Sequence, residues 1–363
     1  MKNTFGNNIS ITIFGESHGE AVGAVLDGLP AGLNVDEAFV SRCLDLRKPI
    51  GKISTPRQEK DEFKILSGVF NGKTTGTPLC IVIPNENTAS KDYSGSYGKA
   101  RPGHADYTAF VKYNGCEDYR GGGHFSGRIT AALVAVGAVC ISALEKKGIS
   151  IGTHIKGCAG VEDAPFTDYV NDIKALSTKA FAVLNDEKGK EMVEAIEAAA
   201  QEGDSVGGVL ETAVVGLPAG VGEPWFDSVE SVLSHALFSI PAIKGVQFGV
   251  GFSCATMKGS QMNDGFCIEN GTVSTKTNNN GGVNGGITNG MPVVFSCAVK
   301  PTPSISKQQE TIDFVNNENT VLSVKGRHDP CIVHRARIVV DSVTAICLCD
   351  LLSQKFGTDW LGV

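Results

Sequence analysis

The sequence predicts an α+β fold in one domain, with a helix buried at its centre and one strand–turn–helix unit used twice. Three observations carry this. Ile129 to Leu144 is rich in Ala and Val and holds no charge, and a helix apolar on every side belongs in an interior. Gly28-Leu29-Pro30-Ala31-Gly32 recurs as Gly216-Leu217-Pro218-Ala219-Gly220, each time after a strand pattern and before a capped helix. Two copies are too few for a solenoid and read as internal duplication, although a string of five common loop residues can also recur by chance. Finally, no composition break along the 363 residues marks a linker, so residues 1–363 are read as a single domain.

Composition narrows the class. Charged residues make up 20% of the chain and mean hydropathy is near zero, as in globular proteins rather than disordered ones. A net charge of −7 argues against nucleic-acid binding. Sixteen uncharged residues fall short of a membrane span, and Met1 to Asn8 has no signal-peptide core, so no membrane partner and a cytoplasmic location are expected. The eleven cysteines are odd in number and form no CxxC pair; they read as buried, reduced thiols. No HExxH or paired CxxC spacing is present, so no metal is expected. A GxxxxGK[ST] loop and a GxGxxG after a strand are also missing.

Taken in order, Ile9 to Phe14 and Ala21 to Leu26 read as strands. A helix is expected from near Asn34, with Glu37 completing a capping-box-like pattern, to near Arg47; Val35, Phe39 and Cys43 form its buried face. Arg47, Lys48, Lys52 and Arg57 then fall in an irregular segment that reads by itself as a solvated basic loop. Phe63 to Val69 and Leu79 to Pro84 are strand patterns, and Asn85 to Ala100 is a polar loop. After the buried helix, Ser150 to Gly157 is a strand and Asn185 to Gly203 an amphipathic helix. Val206 to Val215 is a strand, and Asp227 with Glu230 caps the helix that follows. Gly245 to Phe252 alternates small residues with Val and Phe, so one face invites close approach. Asn278 to Gly290 reads as a mobile Asn/Gly loop, Val293 to Val299 as a strand, and Ala336 to Lys355 as a helix.

The chemistry concentrates between Arg101 and Arg128. Three glycines, Gly121 to Gly123, lead to a helix start at Ser126 to Arg128, where free N–H groups and the helix dipole favour an anion. Glycine content alone fits equally a turn into a core helix. Two histidines and three arginines within 28 residues point instead to a phosphorylated ligand, since arginine is the natural partner of phosphate and carboxylate. His18 and His104 lie in glycine-flanked turns, where functional side chains gather. His154 and His235 lie inside regular elements and read as structural.

Gly15-Glu16-Ser17-His18-Gly19, Arg101-Pro102-Gly103-His104-Ala105-Asp106, the Tyr119 to Arg128 segment and Arg327-His328-Asp329-Pro330-Cys331 occur in this order. Together they resemble the chorismate synthase family, from about Thr4 to Leu352. The resemblance implies a homotetramer with a β-α-β sandwich, two antiparallel sheets enclosing buried helices. It implies elimination of phosphate from 5-enolpyruvylshikimate 3-phosphate, dependent on reduced FMN. By motif, His18 is similar to the acid that protonates the departing phosphate, His104 to the residue acting on the reduced flavin, and Asp329 to the residue that works with flavin N5 in removing the C6 proton. Arg47, Lys52, Arg101, Arg128 and Arg335 resemble the cations around the substrate. Ser17, His124, Phe125, Ser126, Pro241, Ala242, Gly285, Lys300, Pro301, Thr302, Pro303, Ser304 and Arg327 resemble the flavin-contacting set, while Lys48 is not placed in the pocket. Lys52 stands where many members have Arg, Pro241-Ala242 where Asn-Ala is frequent, and Asp341 where Glu is usual. No nicotinamide fingerprint is visible, so the chain is not expected to reduce its own flavin with NADPH.

Overall fold

Two five-stranded antiparallel sheets carry most of the strand-like segments. In this computed structural model residues 2–55, 59–86, 97–324 and 328–362 are described. The first sheet takes β1 (Thr4–Phe5), β2 (Ser10–Gly15), β3 (Ala21–Asp27) and β4 (Lys64–Ser67). A small hairpin of β5 (Val69–Phe70) and β6 (Lys73–Thr74) then leads to β7 (Leu79–Pro84), and the spatial order is β1-β2-β3-β7-β4. The second takes β8 (Ser150–Cys158), β9 (Val161–Glu162), β10 (Gly208–Val215) and β11 (Ile243–Phe248). Hairpins β12 (Phe266–Glu269) with β13 (Thr272–Thr275) and β14 (Val283–Asn284) with β15 (Ile287–Thr288) precede β16 (Val293–Val299), giving the order β9-β8-β10-β16-β11. A last hairpin joins β17 (Gln309–Asp313) and β18 (Glu318–Leu322).

The two sheets repeat one another down to individual hydrogen bonds. Thr74 Oγ1 donates to the Pro30 carbonyl (2.6 Å) and accepts from Leu33 N (2.9 Å). Thr288 Oγ1 does the same with the Pro218 carbonyl (2.7 Å) and Val221 N (2.9 Å). Gly32 N donates to the Thr74 carbonyl and Gly220 N to the Thr288 carbonyl. A Cβ on Gly28 would meet the Asn8 carbonyl at 1.9 Å, and one on Gly216 the Gly148 carbonyl at 2.1 Å. The recurring pentapeptide therefore has a geometric cause. In both places it turns under a hairpin threonine, with its first glycine pressed against a neighbouring strand at positive φ.

Eight helices complete the described residues: α1 (Glu37–Leu46), α2 (Asp106–Tyr113), α3 (Thr130–Lys146), α4 (Tyr169–Leu176), α5 (Asp186–Gln201), α6 (Val229–Leu237), the single turn α7 (Gly259–Met262) and α8 (Val333–Phe356). Helix α3 packs on β3, β7 and α1, while α8 packs on β8, β10 and α6, and the two long helices pack on each other. One apolar core runs through both sheets and these helices. At the α3–α8 crossing a Cβ on Gly137 would lie 2.4 Å from Ser342 Cβ and 2.8 Å from its Cα. Near the far end of α8, the buried Asp350 accepts from the N–H groups of Asn7, Asn8 and Ile9 (3.0, 2.8 and 2.9 Å), which ties the last long helix to the first sheet.

Several boundaries differ from the sequence reading. Asn34 bridges to Lys73, so α1 begins later and Asp36 is its cap, accepting from Phe39 N. The buried face is Val40, Cys43 and Leu44. Asp227 belongs to a 3-10 turn, and Ser228 caps α6 through Ser231 N. The strand from Phe63 breaks at Gly68, whose φ of 87° and crowding by Leu79 split it into β4 and β5. The Asn/Gly stretch is a hairpin whose approach Asp264 holds through Asn279 N and Asn280 N. Close backbone approach near β11 falls at Gly249, where a Cβ would meet the Asn279 carbonyl at 1.9 Å. Cys116 and Cys254 are exposed, against the expectation of buried thiols. A 3-10 turn extends the buried helix to Gly127–Lys146, 20 residues and long and apolar enough to cross a membrane; 89% of its most apolar window is buried inside the fold, as for a core helix.

The Gly137 contact generates a prediction. Gly137→Ala should lower stability by about 1–3 kcal/mol, the usual cost of overpacking, and Ser342→Ala should not restore it because Cα and Cβ of residue 342 remain. A urea titration showing Gly137→Ala as stable as wild type would contradict this crossing geometry.

Candidate active site

Two adjoining cavities open beside the start of α3. The larger, about 650 Å³, is lined by residues that include His18, His104, His124, Lys300, Thr302 and Asp329. The smaller, about 240 Å³, is lined among others by Arg47, Lys48, Asp61, Arg128, Arg335 and Asp329. Ser126, Gly127, Ile240, Pro241, Asp329 and Ile332 line both.

The glycine run shapes the larger cavity. Gly121, Gly122 and Gly123 all have positive φ (60°, 84° and 52°), a conformation open to glycine at no steric cost. A Cβ on Gly121 would lie 2.2 Å from His18 Cε1, and one on Gly122 would lie 3.0 Å from His104 Cε1. Each glycine thus makes room for one histidine ring, and Ser17 N donates to the Gly123 carbonyl (3.1 Å). The ring of His124 places Nδ1 2.8 Å from the Gly15 carbonyl. At the end of the run Ser126 Oγ accepts from Arg128 N (3.2 Å), so one of the N–H groups expected to greet a ligand is already capped.

His104 is held by a residue to which the sequence reading assigns no role. Asp106 accepts from Arg101 N (2.9 Å), Nε (2.8 Å) and Nη2 (2.7 Å), and lies 2.9 Å from His104 Nδ1. Burial opposes the charge on Asp106, but the hydrogen bonds from Arg101 and His104 outweigh it and hold this carboxyl well below its ordinary range. Arg101 Nη2, which can only donate, lies 3.0 Å from the same Nδ1, so Asp106 and Arg101 together hold the ring from its Nδ1 side. Arg101 is thereby committed to Asp106, and its Nη1 reaches Ser304 Oγ at 3.4 Å.

The smaller cavity is an arginine pocket. Arg128 donates from Nε to Asn85 Oδ1 (2.9 Å), from Nη2 to the Pro84 carbonyl (3.1 Å) and from Nη1 to Asp61. Arg47 donates from Nε to Thr130 Oγ1 (3.0 Å), from Nη2 to the Gly127 carbonyl (3.1 Å) and from Nη1 to Asp61 Oδ2 (3.5 Å). Arg335 donates from Nε to the Arg47 carbonyl (3.0 Å) and from Nη1 to both oxygens of Asp329 (3.1 and 3.0 Å). Burial, then Arg335 against the help of Asp61, then Arg128, push Arg47 down to about 9. Four cations and three carboxylates (Glu59, Asp61 and Asp329) line this cavity, an excess of positive charge that an anion relieves.

Asp329 is not a helix cap. Helix α8 starts at Val333 with no side-chain cap, while Asp329 Oδ1 accepts from Thr55 N (2.9 Å) across the chain. Lys48, set outside the pocket by the resemblance, lines the smaller cavity and pairs with Asp45 (2.6 Å). Phe125, Pro241, Ala242, Pro303 and Ser304 line the larger one. Lys52 is exposed on a 3-10 turn and lines neither. Pro301 packs over Gly207, and Gly285 sits at the β14–β15 turn in open space; both lie outside the two linings. Arg327 and Arg57 lie outside the described residues. Asp341 is buried and accepts from Thr153 Oγ1 (2.6 Å), a core position. Asp61, Asn85, Asp106 and Thr130 escape the sequence reading. Asp106 stands inside one of the four motifs, but nothing local marks the other three.

An arginine-lined anion pocket sharing a wall with a histidine-bearing cavity defines a protein built to bind a multiply charged small molecule beside acid–base groups. The comparisons give the particular family. The chorismate synthase family model matches residues 9–352. A chorismate synthase of Dehalococcoides mccartyi is 47% identical over 354 residues, covering 97% of this chain and 96% of the relative. One of Korarchaeum cryptofilum is 45% identical, with 97% of each chain covered. A crystal structure of chorismate synthase superposes with a TM-score of 0.77 at 31% identity, covering 97% of this chain and 94% of that one. The chain belongs to the chorismate synthase family.

The Asp106 cluster sets a pH dependence. A carboxyl depressed in the folded state stabilises it above its unfolded pKa of about 3.9, and the contribution is lost as pH falls through the folded value. Asp106→Asn should be less stable than wild type at pH 7, with the gap narrowing as pH drops below about 4. Urea midpoints measured from pH 7 to 3 check this; a gap that stays constant would contradict it.

Proposed function

We propose that the arginine pocket holds the anionic groups of 5-enolpyruvylshikimate 3-phosphate and that the 650 Å³ cavity holds reduced FMN. The activity is that of the family: a carbon–oxygen lyase reaction of aromatic amino acid biosynthesis, the 1,4-anti elimination of phosphate and a C6 hydrogen to give chorismate. The observation that carries the placement is the shared wall. Three guanidinium groups face one cavity, the histidines face the other, and Asp329 lines both.

The residues fit a flavin. The cavity volume is within the usual range for cofactor sites. Thr302 Oγ1 and Ser17 Oγ are buried without a hydrogen-bond partner among the described residues, and Lys300 brings a positive charge to the wall. Thr302, Pro303, Ser304, His124 to Ser126 and Pro241-Ala242 would hold it. When bound, reduced FMN supplies an electron-rich ring next to the bonds that break. Arg47, Arg128 and Arg335 orient the phosphate and carboxylates, and charge-assisted bonds of this kind are strong and directional. His18, buried beside Gly121, gives the departing phosphate its proton. His104, fixed through Asp106, presents Nε2 to the flavin side. Asp329, held by Arg335 and Thr55 N, keeps a carboxylate at the junction to receive the C6 proton. Ile240 and Ile332 exclude water there, which strengthens these electrostatic effects.

Sheet on α3, α3 on α8 and α8 on sheet, with matching strand orders, support an internally duplicated β-α-β sandwich over one domain. Trp225, Phe226, Phe252, Phe266 and Ile268 are large apolar side chains left exposed in the single chain, and a homotetramer would give them surfaces to be buried against. A cytoplasmic setting agrees with eleven free thiols.

Asp329→Asn tests the assignment. Helix capping being excluded, the variant should stay folded and bind substrate and reduced FMN. Its turnover should drop by at least about tenfold, since an amide cannot accept the proton, with a larger isotope effect for C6-deuterated substrate. Wild-type turnover with an unchanged isotope effect would remove Asp329 from the chemistry.

A further inference from the structure

We infer that Asp61 is a positioning residue: a buried carboxylate clamp that aims the unused N–H groups of Arg47 and Arg128 into the anion pocket and stays in place when the anion binds. This rests on the arginine pocket being the substrate-anion site. Asp61 lies outside regular structure, between an irregular segment and β4, with φ of 57°, a backbone conformation uncommon for a non-glycine residue. Its side chain is 2% exposed. One oxygen pairs with Arg128 Nη1 and the other with Arg47 Nη1. Among the described residues, the other hydrogen bonds that the two guanidinium groups donate go to neutral acceptors: Asn85, Thr130 and the carbonyls of residues 84, 127 and 128. Asp61 is therefore the carboxylate that the two arginines share.

A guanidinium carries five N–H groups. Arg128 directs Nε, one Nη1 hydrogen and one Nη2 hydrogen to Asn85, Asp61 and Pro84, and the rest of its fork is available to a ligand. Two like charges this close repel, which is part of why Arg47 is pushed down. A carboxylate bridging one nitrogen of each offsets that repulsion and fixes both planes before any ligand arrives. Preorganised charge is what makes an anion site selective as well as attractive. The opposite role is also physically open: Asp61 could occupy the anion's own position and be displaced by it. The neutral contacts favour the clamp, because each arginine is already held in the plane that Asp61 completes.

Asp61→Asn and Asp61→Glu separate these roles. Binding is read by anaerobic calorimetry with 5-enolpyruvylshikimate 3-phosphate and, separately, inorganic phosphate; KM and kcat are read with reduced FMN. The clamp predicts that both variants raise Kd and KM at least about tenfold, as expected when charged hydrogen bonds lose their geometry, while reduced FMN affinity stays within about twofold. Unchanged or tighter anion binding in Asp61→Asn would overturn it and make Asp61 a competitor of the ligand. A weakened Asp61→Asn beside a wild-type-like Asp61→Glu would also overturn it, since charge without position would then suffice. If neither variant folds, a crystal structure of the wild type with substrate decides: Asp61 still bonded to both arginines supports the clamp, and Asp61 displaced by the anion overturns it. Wild-type protein that binds phosphate but does not turn over the substrate would instead strike at the proposed function and leave the phosphate comparison standing.

Discussion

Like charges crowded in a buried place are the constraint on which the site depends. Arg47, Arg128 and Arg335 come from three distant points of the chain and meet in a cavity of about 240 Å³. They persist there because Asp61 and Asp329 pair with them and because carbonyl, amide and hydroxyl oxygens accept from several of the remaining donors. Removing one partner from such a set leaves an uncompensated charge, a loss of about 3–5 kcal/mol. The same network joins the two halves of the molecule, since Arg335 of α8 bonds both Asp329 and the Arg47 carbonyl. Stability and the ligand recognition proposed above therefore draw on one set of contacts.

The two similar sheets and the helices between them bring these points together. Helices α3 and α8 occupy matching positions against the two sheets and cross at Gly137 and Ser342. Their N-terminal ends, at Ser126 to Thr130 and at Asp329 to Ile332, both reach the two cavities. The halves have diverged in what they present there. The first supplies the glycine run that clears room for His18 and His104; the second supplies Asp329, Arg335 and the Lys300 to Ser304 segment. The symmetry of the scaffold explains the meeting point, and the asymmetry of its loops explains the chemistry.

Much of this is legible in the sequence, for identifiable reasons. The buried helix shows because its core position leaves no room for charge, and the recurring pentapeptide shows because one turn geometry is needed twice. The main strands are readable from alternation, and the resemblance resting on four ordered motifs agrees with the family that the comparisons give. Caps fall one or two residues from where the sequence puts them, since Asn34 is drawn into a bridge with Lys73 and Ser228 outcompetes Asp227. Asp61 and Asn85 are invisible because their partners lie 67 and 43 residues away, and no local pattern encodes such pairings. Family position alone leaves Lys48 out of the site and puts Lys52 in it, whereas the structure places the first in the lining and the second in solvent.

On the function proposed above, one site joins anion recognition to flavin-dependent elimination. Phosphate release from 5-enolpyruvylshikimate 3-phosphate, followed anaerobically with and without reduced FMN, tests this most directly. Phosphate and chorismate formed in equal amounts, and only with reduced FMN present, is the predicted result. Release that is indifferent to the flavin, or no release by folded protein that binds both molecules, would contradict it.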